Sequence, residues 1–219
     1  MKTATIFIDG NNWYHNVKPI ISSPSQIDIN KLANFICSAN NYELKEVRWY
    51  VSVPDIRDGD ITYYKHLSFL DGLKKQGIKV ITRKLQTTPT KEVLNQKKEI
   101  VEALELCPAC KPLVKENCEN CIGRSKKREK GIDVWIAIDM IRKTLIEKEC
   151  DCCILISGDA DFIPALELIE KNNKEVLSAF VPIGYAYDLR KNFKFYSLGK
   201  PKIMQCLKEF SEFKKEERH

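Results

Sequence analysis

The chain has 219 residues, 43% of them hydrophobic and 30% charged, so it can bury one substantial core and lacks the composition of a disordered protein. Its 36 Lys and Arg residues exceed its 30 Asp and Glu residues, and a net charge of +6 suits a polyanionic partner without requiring one. No basic segment followed by an apolar one opens the sequence, and no apolar run approaches the ~20 residues that span a bilayer. We therefore expect one main domain in the cytoplasm.

Strands and helices alternate in the first part of the chain. Short apolar runs rich in β-branched residues predict strands over 3–8, 46–53 and 78–82. Apolar stripes at helical spacing predict helices over 28–39 and 61–75. An order of strand, helix, strand, helix, strand is typical of a parallel α/β topology.

The alternation breaks at 85–130, which we interpret as an insertion, and then resumes. We predict a long helix over 131–149, strands over 152–157 and 175–181, and a helix over 161–172 between those strands. The main domain is therefore expected to cover 1–200.

The C-terminal part of the sequence is the least regular. A short helix is predicted near 187–191, an apolar stretch follows at 193–198, and a charged helix is predicted over 201–219. This last helix either packs on its own domain or forms a homodimer through its apolar stripe, and both interpretations stay open. The stripe consists of Ile203, Leu207, Phe210 and Phe213.

Four aspartates stand at the ends of predicted strands or the starts of helices. Asp9 and Asp159 follow strands, and Asp133 and Asp161 begin helices. Ligands of open parallel sheets bind in the crevice beyond the carboxyl ends of the strands, so these residues can share one crevice. Crowded carboxylates repel one another unless a cation neutralises them, and Mg²⁺ or Mn²⁺ prefers oxygen ligands. The placement predicts a divalent-metal site, although Asp133 by itself would also suit helix capping.

Three motifs contain these acids and occur in order along the chain: Phe7–Asn12 (FIDGNN), Lys130–Met140 (KGIDVWIAIDM) and Ser157–Phe162 (SGDADF). Together they resemble the NYN domain of LabA-like proteins, within the wider PIN-like nuclease group, over about residues 1–198. The resemblance implies a three-layer α/β/α fold around a mainly parallel sheet. For active members it also implies Mg²⁺- or Mn²⁺-dependent ribonuclease activity.

The same resemblance assigns roles to individual residues. It places the four aspartates at the metal, Asn12 as the amide that orients the first acid or a water, and Ser157 as a nearby hydroxyl. The predicted catalytic residues are therefore Asp9, Asn12, Asp133, Ser157, Asp159 and Asp161. Near the C-terminus, residues 189–195 lack the acidic residue that such proteins often carry before their final strand.

Asp139 matches a further acid of the helix motif. It lies roughly 240° around a helix axis and ~9 Å along it from Asp133, so it is not expected to share the same ion. It either steers a basic group in the second shell of the metal or is a buried acid paired with Lys or Arg.

Four of the nine cysteines form two C-x₂-C pairs separated by seven residues. This spacing lets two tight turns deliver four thiolates to a tetrahedral Zn²⁺, and a site without an open position is structural. Two disulfides are the alternative, which a cytoplasmic setting disfavours. The predicted zinc ligands are Cys107, Cys110, Cys118 and Cys121, in a zinc-knuckle insertion over 105–124.

Basic residues that follow the cysteines are expected to stand beside the acidic cleft and contact RNA phosphates, which gives salt-sensitive affinity with little base specificity. Trp13, next to Asn12, is the aromatic residue best placed to stack on an unpaired base. A second basic stretch, 190–202, either binds a polyanion or is a solvated face. The predicted RNA-binding residues are Trp13, Arg124, Lys126, Lys127, Arg128 and Lys130.

These observations predict a metal-dependent endoribonuclease that cleaves single-stranded or structured RNA, with structural zinc. The alternative is a zinc-stapled RNA-binding or regulatory module with little or no catalysis. A Toprim-type phosphotransferase fits less well, because those enzymes need a glutamate after the first strand, where this chain has Asp9.

Overall fold

The computed structural model describes residues 1–54, 56, 60–84, 86–87, 90–120, 127–128 and 131–208. The chain divides into two compact units, one formed by 1–83 with 131–219 and the other by 84–130. The interruption of the sequence pattern therefore coincides with a separate unit, which is longer than the 105–124 expected for the zinc-knuckle insertion.

The larger unit contains six strands and seven α-helices within its described residues. Its strands are β1 (Lys2–Asp9), β2 (Tyr42–Val53), β3 (Lys79–Lys84), β6 (Cys152–Ile156), β7 (Glu175–Phe180) and β8 (Phe195–Ser197). The strands of the smaller unit are β4 (Gln86–Thr87) and β5 (Lys127–Arg128). The helices are α1 (Gly10–Val17), α2 (Ile29–Ala39), α3 (Asp60–Lys75), α4 (Thr90–Ala103), α5 (Cys110–Asn120), α6 (Ile132–Ile141), α7 (Ile163–Lys171), α8 (Tyr187–Asn192) and α9 (Lys200–Met204), of which α4 and α5 belong to the smaller unit.

The central sheet is all-parallel, with strand order β3-β2-β1-β6-β7-β8. The two middle strands, β1 and β6, bury side chains on both faces, as their nearly continuous apolar sequences require. From β1 the chain first builds outward to β2 and β3, and later returns to place β6 on the other side of β1. The strand order therefore reverses between β1 and β6, which is the switch point where sheets of this kind bind ligands.

Helices cover both faces of the sheet. Ile6 and Ile8 of β1 point into one core with Trp13 of α1 and Leu32 of α2, whereas Phe7 points into the other. The second core is closed by α6, α7 and α8. This arrangement confirms the expected three-layer α/β/α fold.

Local capping explains where the second helix begins. The Asp28 side chain accepts the backbone N–H of Lys31 at 3.0 Å, which satisfies one of the N–H groups that a helix start leaves unpaired. The predicted helix over 28–39 is thus confirmed to within one residue.

Two helices differ from expectation. The helix predicted over 131–149 is α-helical only to Ile141 and continues as a π-turn over Arg142–Ile146. The helix predicted over 201–219 ends at Met204, because the backbone of 206–208 extends and pairs with that of 26–28. Ile203 and Leu207 pack on the larger unit's own core, while Phe210 and Phe213 lie outside the described residues.

The described residues of the smaller unit form two helices and one short antiparallel strand pair. Helix α4 packs against α5, and Glu102 forms ion pairs with Lys111 at 3.2 Å and Lys115 at 2.8 Å. Strands β4 and β5 pair antiparallel. None of the described helices of the chain has the length and apolarity to cross a bilayer.

Candidate metal centre at the switch point of the sheet

The last residue of β1, Asp9, lies at the switch point. Its side chain is buried, with 5% of the residue exposed. One carboxylate oxygen, Oδ1, accepts the backbone N–H of Asn12 at 3.0 Å and so caps α1, where the helix dipole favours a negative charge. The other, Oδ2, accepts the hydroxyl of Ser157 at 3.3 Å, across the gap between β1 and β6.

A chain of hydrogen bonds continues from Asp9 along the segment after β6. The Ser157 Oγ accepts the N–H of Asp159 at 3.2 Å, and Asp159 Oδ1 accepts the N–H of Asp161 at 3.0 Å. Asp159 thereby caps the 3₁₀ turn Ala160–Phe162 that leads into α7. The structure thus brings three predicted acids and Ser157 into one connected network, which we call the acid network.

The contacts of Asn12 bear on its predicted role in orienting Asp9 or a water. Its side-chain Oδ1 accepts the backbone N–H of Gly158 and a side-chain N–H of Asn16, both at 2.9 Å. The side chain therefore fixes the loop after β6, and it is the backbone N–H of Asn12 that holds Asp9. Asn12 acts by tying α1 to the loop that carries Asp159.

Gly158, between Ser157 and Asp159, is a structural position beside the acids that the sequence analysis assigned no role. A Cβ atom there would lie 2.5 Å from the carbonyl oxygen of Gly184 and 2.8 Å from the Cα of Tyr185. The Gly158 carbonyl also accepts the N–H of Ala186 at 2.8 Å. Because both close contacts are with backbone, only glycine lets these two loops meet beside the acids. The glycine between Ser157 and Asp159 was the available sequence signal.

Asp133 lies in the first turn of α6 and is exposed. The preceding Gly131 has a φ of +80°, and a Cβ there would lie 2.6 Å from Nη1 of Arg83, on the carboxyl-end half of β3. The start of α6 is thus close to the same edge of the sheet as Asp9. Helix capping and hydrogen bonds place the side chains of Asp9 and Asp159 in the acid network, which Asp161 joins through its backbone N–H, whereas Asp133 stands on the α6 side of that edge.

The donor chemistry of the acid network fits a hard divalent cation. Its side chains offer carboxylate and hydroxyl oxygens, without sulfur or imidazole, as Mg²⁺ and Mn²⁺ prefer. In the part of the chain that the structure describes, no three His, Cys, Asp or Glu side chains form a ready-made ion cage. Mg²⁺ is commonly held by one or two carboxylates, several waters and substrate phosphates, so a full protein cage is not required.

Asp139 belongs to a buried cluster of its own. Its Oδ2 accepts hydrogen bonds from Arg48 at 2.9 Å and from the Tyr50 hydroxyl at 2.8 Å, and its Oδ1 pairs with Arg142 at 2.7 Å. Burial alone would raise the pKa of Asp139, but the hydrogen bonds from Tyr50 and Arg48 and the Arg142 charge hold it below its ordinary value. Asp139 is thus a buried acid paired with arginine, as one of the two interpretations expected, and its second-shell role stays a prediction.

Trp13 was wrongly assigned to RNA binding. It is 3% exposed and packs in the core between α1 and the sheet, because it points away from the cleft edge of its helix. The ring is therefore not available to stack on a base. Arg124, Lys126 and Lys130 lie outside the described residues, as do the side chains of Lys127 and Arg128, and their RNA-binding roles stay predictions.

The first cysteine pair forms a tight turn. The carbonyl of Cys107 accepts the N–H groups of Cys110 at 3.0 Å and Lys111 at 3.1 Å. A hydrogen bond from the Cys110 side chain, with backbone N–H groups of Cys110 and Ala109, lowers the pKa of the exposed Cys107 thiol. A lowered thiol pKa favours the thiolate that binds metal.

The second pair differs from the expectation of two turns. Cys118 lies on α5, which begins at Cys110, and eight residues of helix separate their backbones by about 12 Å along the axis. The side chain of Cys118, and Cys121 as a whole, lie outside the described residues. The four-thiolate site therefore stays a prediction, and it requires the backbones of Cys110 and Cys118 to come closer together than a continuous α5 allows.

The protein is a three-layer α/β/α protein with the acid network at the switch point of its parallel sheet. The chain belongs to the NYN domain family, which matches residues 3–198. NYN domains are PIN-like and generally nucleases, which supports a role connected with RNA. Membership of the narrower LabA-like group stays a prediction.

A solved structure shares this fold. It is a protein of unknown function from Vibrio parahaemolyticus, VPA0982, with a TM-score of 0.51 and 20% sequence identity. The match covers 90% of this chain and 93% of that chain. A search of curated proteins found no match.

Proposed function

We propose that this protein is a metal-dependent endoribonuclease that hydrolyses phosphodiester bonds of RNA. The observation that carries the proposal is the acid network: a buried aspartate at the switch point of a NYN fold, joined through Ser157 to Asp159 and Asp161. Asp9, Asp159 and Asp161, with Asp133 from α6, are the residues that would hold Mg²⁺ or Mn²⁺. A bound ion of this kind lowers the pKa of a water and offsets the charge that develops on the phosphate.

The residues of the chain supply the positions for this chemistry. Ser157 and the backbone N–H of Asn12 orient the two oxygens of Asp9, so its charge has a defined direction. The Asn12 side chain and Gly158 hold the loop that carries Asp159 against α1. Asp161 follows on an exposed turn, and we expect Asp159 or Asp161 to accept the proton of an attacking water.

The first test is cleavage of labelled RNA and of DNA of the same sequence with Mn²⁺, with Mg²⁺ and with EDTA. We expect RNA cleavage with either metal and none with EDTA, because the acids alone supply no nucleophile. Cleavage that persists in EDTA would contradict metal dependence. Salt-sensitive RNA binding without cleavage in any metal would favour the regulatory-module alternative.

We further propose that Zn²⁺ holds the smaller unit together. The purified protein should contain about one Zn²⁺ per chain, measured by elemental analysis, and Cys107→Ser or Cys118→Ser should remove it, because a thiolate ligand is lost. Cys37→Ala, at a cysteine buried in the core of the larger unit, should retain the zinc. Zinc content unaffected by Cys107→Ser would contradict the four-thiolate site. The cytoplasmic location stays a prediction from the sequence.

A further inference from the structure

A stack of three aromatic rings lies at the carboxyl end of β7. The Phe180 ring is nearly parallel to that of Tyr185, with ring centroids 4.2 Å apart and planes at 13°. It is also nearly parallel to that of Phe195, at 5.7 Å and 14°. Phe180 is buried, whereas Phe195 is 39% exposed. The stack therefore begins in the core and reaches the surface.

Arg190 of α8 is held against this stack by two contacts. Its guanidinium carbon lies 5.3 Å from the centroid of the Phe195 ring, and its Nη1 donates to the Tyr185 hydroxyl at 3.4 Å. Within the described residues, no carboxylate pairs with Arg190. A guanidinium has five N–H donors in a rigid plane, and most of these remain for a ligand. Because the plane is already oriented, less side-chain freedom is lost when an anion binds.

The stack adjoins the acid network through Tyr185. The Tyr185 backbone forms the contact that excludes a Cβ at Gly158, and Gly158 lies between Ser157 and Asp159. The next residue, Ala186, donates its N–H to the Gly158 carbonyl. Arg190 therefore stands on α8, about one helical turn beyond the loop that contacts Gly158, and outside the hydrogen-bond chain of the acids.

The residues near Arg190 indicate what kind of ligand it binds. Lys194, also in the basic stretch 190–202, turns towards Tyr42 at the opposite end of the sheet, with its Nζ 5.1 Å from that ring. Tyr187, at the start of α8, is 69% exposed. An oriented guanidinium suits a phosphate, and an exposed aromatic ring suits an unpaired base. Residues 189–195 carry three basic residues and no acidic one, although the exposed Asp188 precedes them in the first turn of α8.

We propose that Arg190 binds a backbone phosphate of single-stranded RNA on the β7 side of the acid network, and that Tyr187 stacks on a base of the same strand. The identity of the ligand rests on the proposed function. Binding of RNA by Arg190 is measured without cleavage, so this inference and the proposed ribonuclease activity can fail separately.

The test is binding of a fluorescein-labelled single-stranded RNA by anisotropy in EDTA, over a series of salt concentrations. Arg190→Ala should weaken binding about fivefold to tenfold at low salt. It should also lower the slope of log K against log salt by about 0.7, the value for one phosphate contact on a single strand. A purely structural role of Arg190 would leave that slope unchanged. Arg190→Lys keeps the charge and should retain the slope with intermediate affinity.

A matched control removes the same charge elsewhere. Lys171 is the last residue of α7, and its side chain is 73% exposed. It lies about 12 Å along the helix axis from the start of α7, which follows Asp161. Lys171→Ala should leave affinity and slope unchanged. Tyr187→Ala should weaken binding by about fivefold or more, and Tyr187→Phe should restore it. A duplex RNA of the same sequence should compete poorly, because its bases are not available for stacking.

The outcomes separate the two proposals. Binding that depends on Arg190 in a chain that does not cleave RNA would support this inference and overturn the proposed catalysis. Metal-dependent cleavage with an unchanged salt slope in Arg190→Ala would overturn this inference alone. Equal losses of RNA affinity in Arg190→Ala and Lys171→Ala would also overturn the inference about Arg190, as would the absence of any RNA binding. If Arg190→Ala does not fold, the RNA affinity of Arg190→Lys is compared with that of Lys171→Ala. A lower affinity of Arg190→Lys would support the inference, and an equal affinity would overturn it.

Discussion

Asp9→Asn is expected to lower the rate of RNA cleavage by at least about 10³-fold, or roughly 4 kcal/mol of transition-state stabilisation. Asparagine keeps the shape of the side chain and is as good a helix N-cap as aspartate, so the contact with the Asn12 N–H should persist. What is lost is a buried negative charge at the switch point. The measurement is the single-turnover rate on labelled RNA with Mn²⁺, with circular dichroism as a check of folding.

Asp159→Asn should have the same effect, because its cap on the Asp161 N–H can also be retained by an amide. The matched control is Asp28→Asn. Asp28 caps α2 through the Lys31 N–H at 3.0 Å, as Asp9 caps α1, but it takes no part in the acid network. A rate within a few-fold of wild type for Asp9→Asn and Asp159→Asn would show that these carboxylates do not form the catalytic site.

Asp139→Asn is expected to lower the free energy of unfolding by about 3 kcal/mol at pH 7, because it leaves Arg48 buried with its ion pair to Asp139 broken. Arg48 keeps Glu46 as a partner at 2.9 Å, which limits the loss. The measurement is urea denaturation, and the folded variant should still cleave RNA, since Asp139 lies outside the acid network. The comparison variant Asp71→Asn removes an exposed ion pair with Lys75 and should leave the free energy of unfolding nearly unchanged, because solvent screens that pair.

The pKa of Asp139 determines how the destabilisation by Asp139→Asn changes with pH. The pKa of Asp139 is lowered in the folded protein from an ordinary value of 3.8, because its partners favour the charged form. The stabilisation is therefore present above pH 3.8 and is lost as pH falls through the folded-state pKa. The difference in unfolding free energy between wild type and Asp139→Asn should shrink below that pH. If the difference in unfolding free energy stayed constant as the pH fell below 3.8, a stabilising role of the Asp139 charge would be contradicted.

The sequence by itself determined the parallel α/β topology and the positions of Asp9 and Asp159 at strand ends. Both depend on local patterns, namely apolar runs of strand length and the residues that end them. It also indicated the interruption at 85–130, because there the alternation of strand and helix patterns stops. These predictions needed no knowledge of which segments meet in space.

Only the tertiary structure decided how the side chains are used. Asp139 meets Arg48 and Tyr50 from a strand about ninety residues earlier, so no sequence spacing could distinguish a buried ion pair from a metal-site acid. Burial of Trp13 depends on which face of α1 packs on the sheet. The orientation of Arg190 depends on rings from β7, the following loop and β8. The contacts of Asp139 join residues distant in sequence, and those of Arg190 join α8 to the loop before it and to β8, so in each case the packing of whole elements sets the contact.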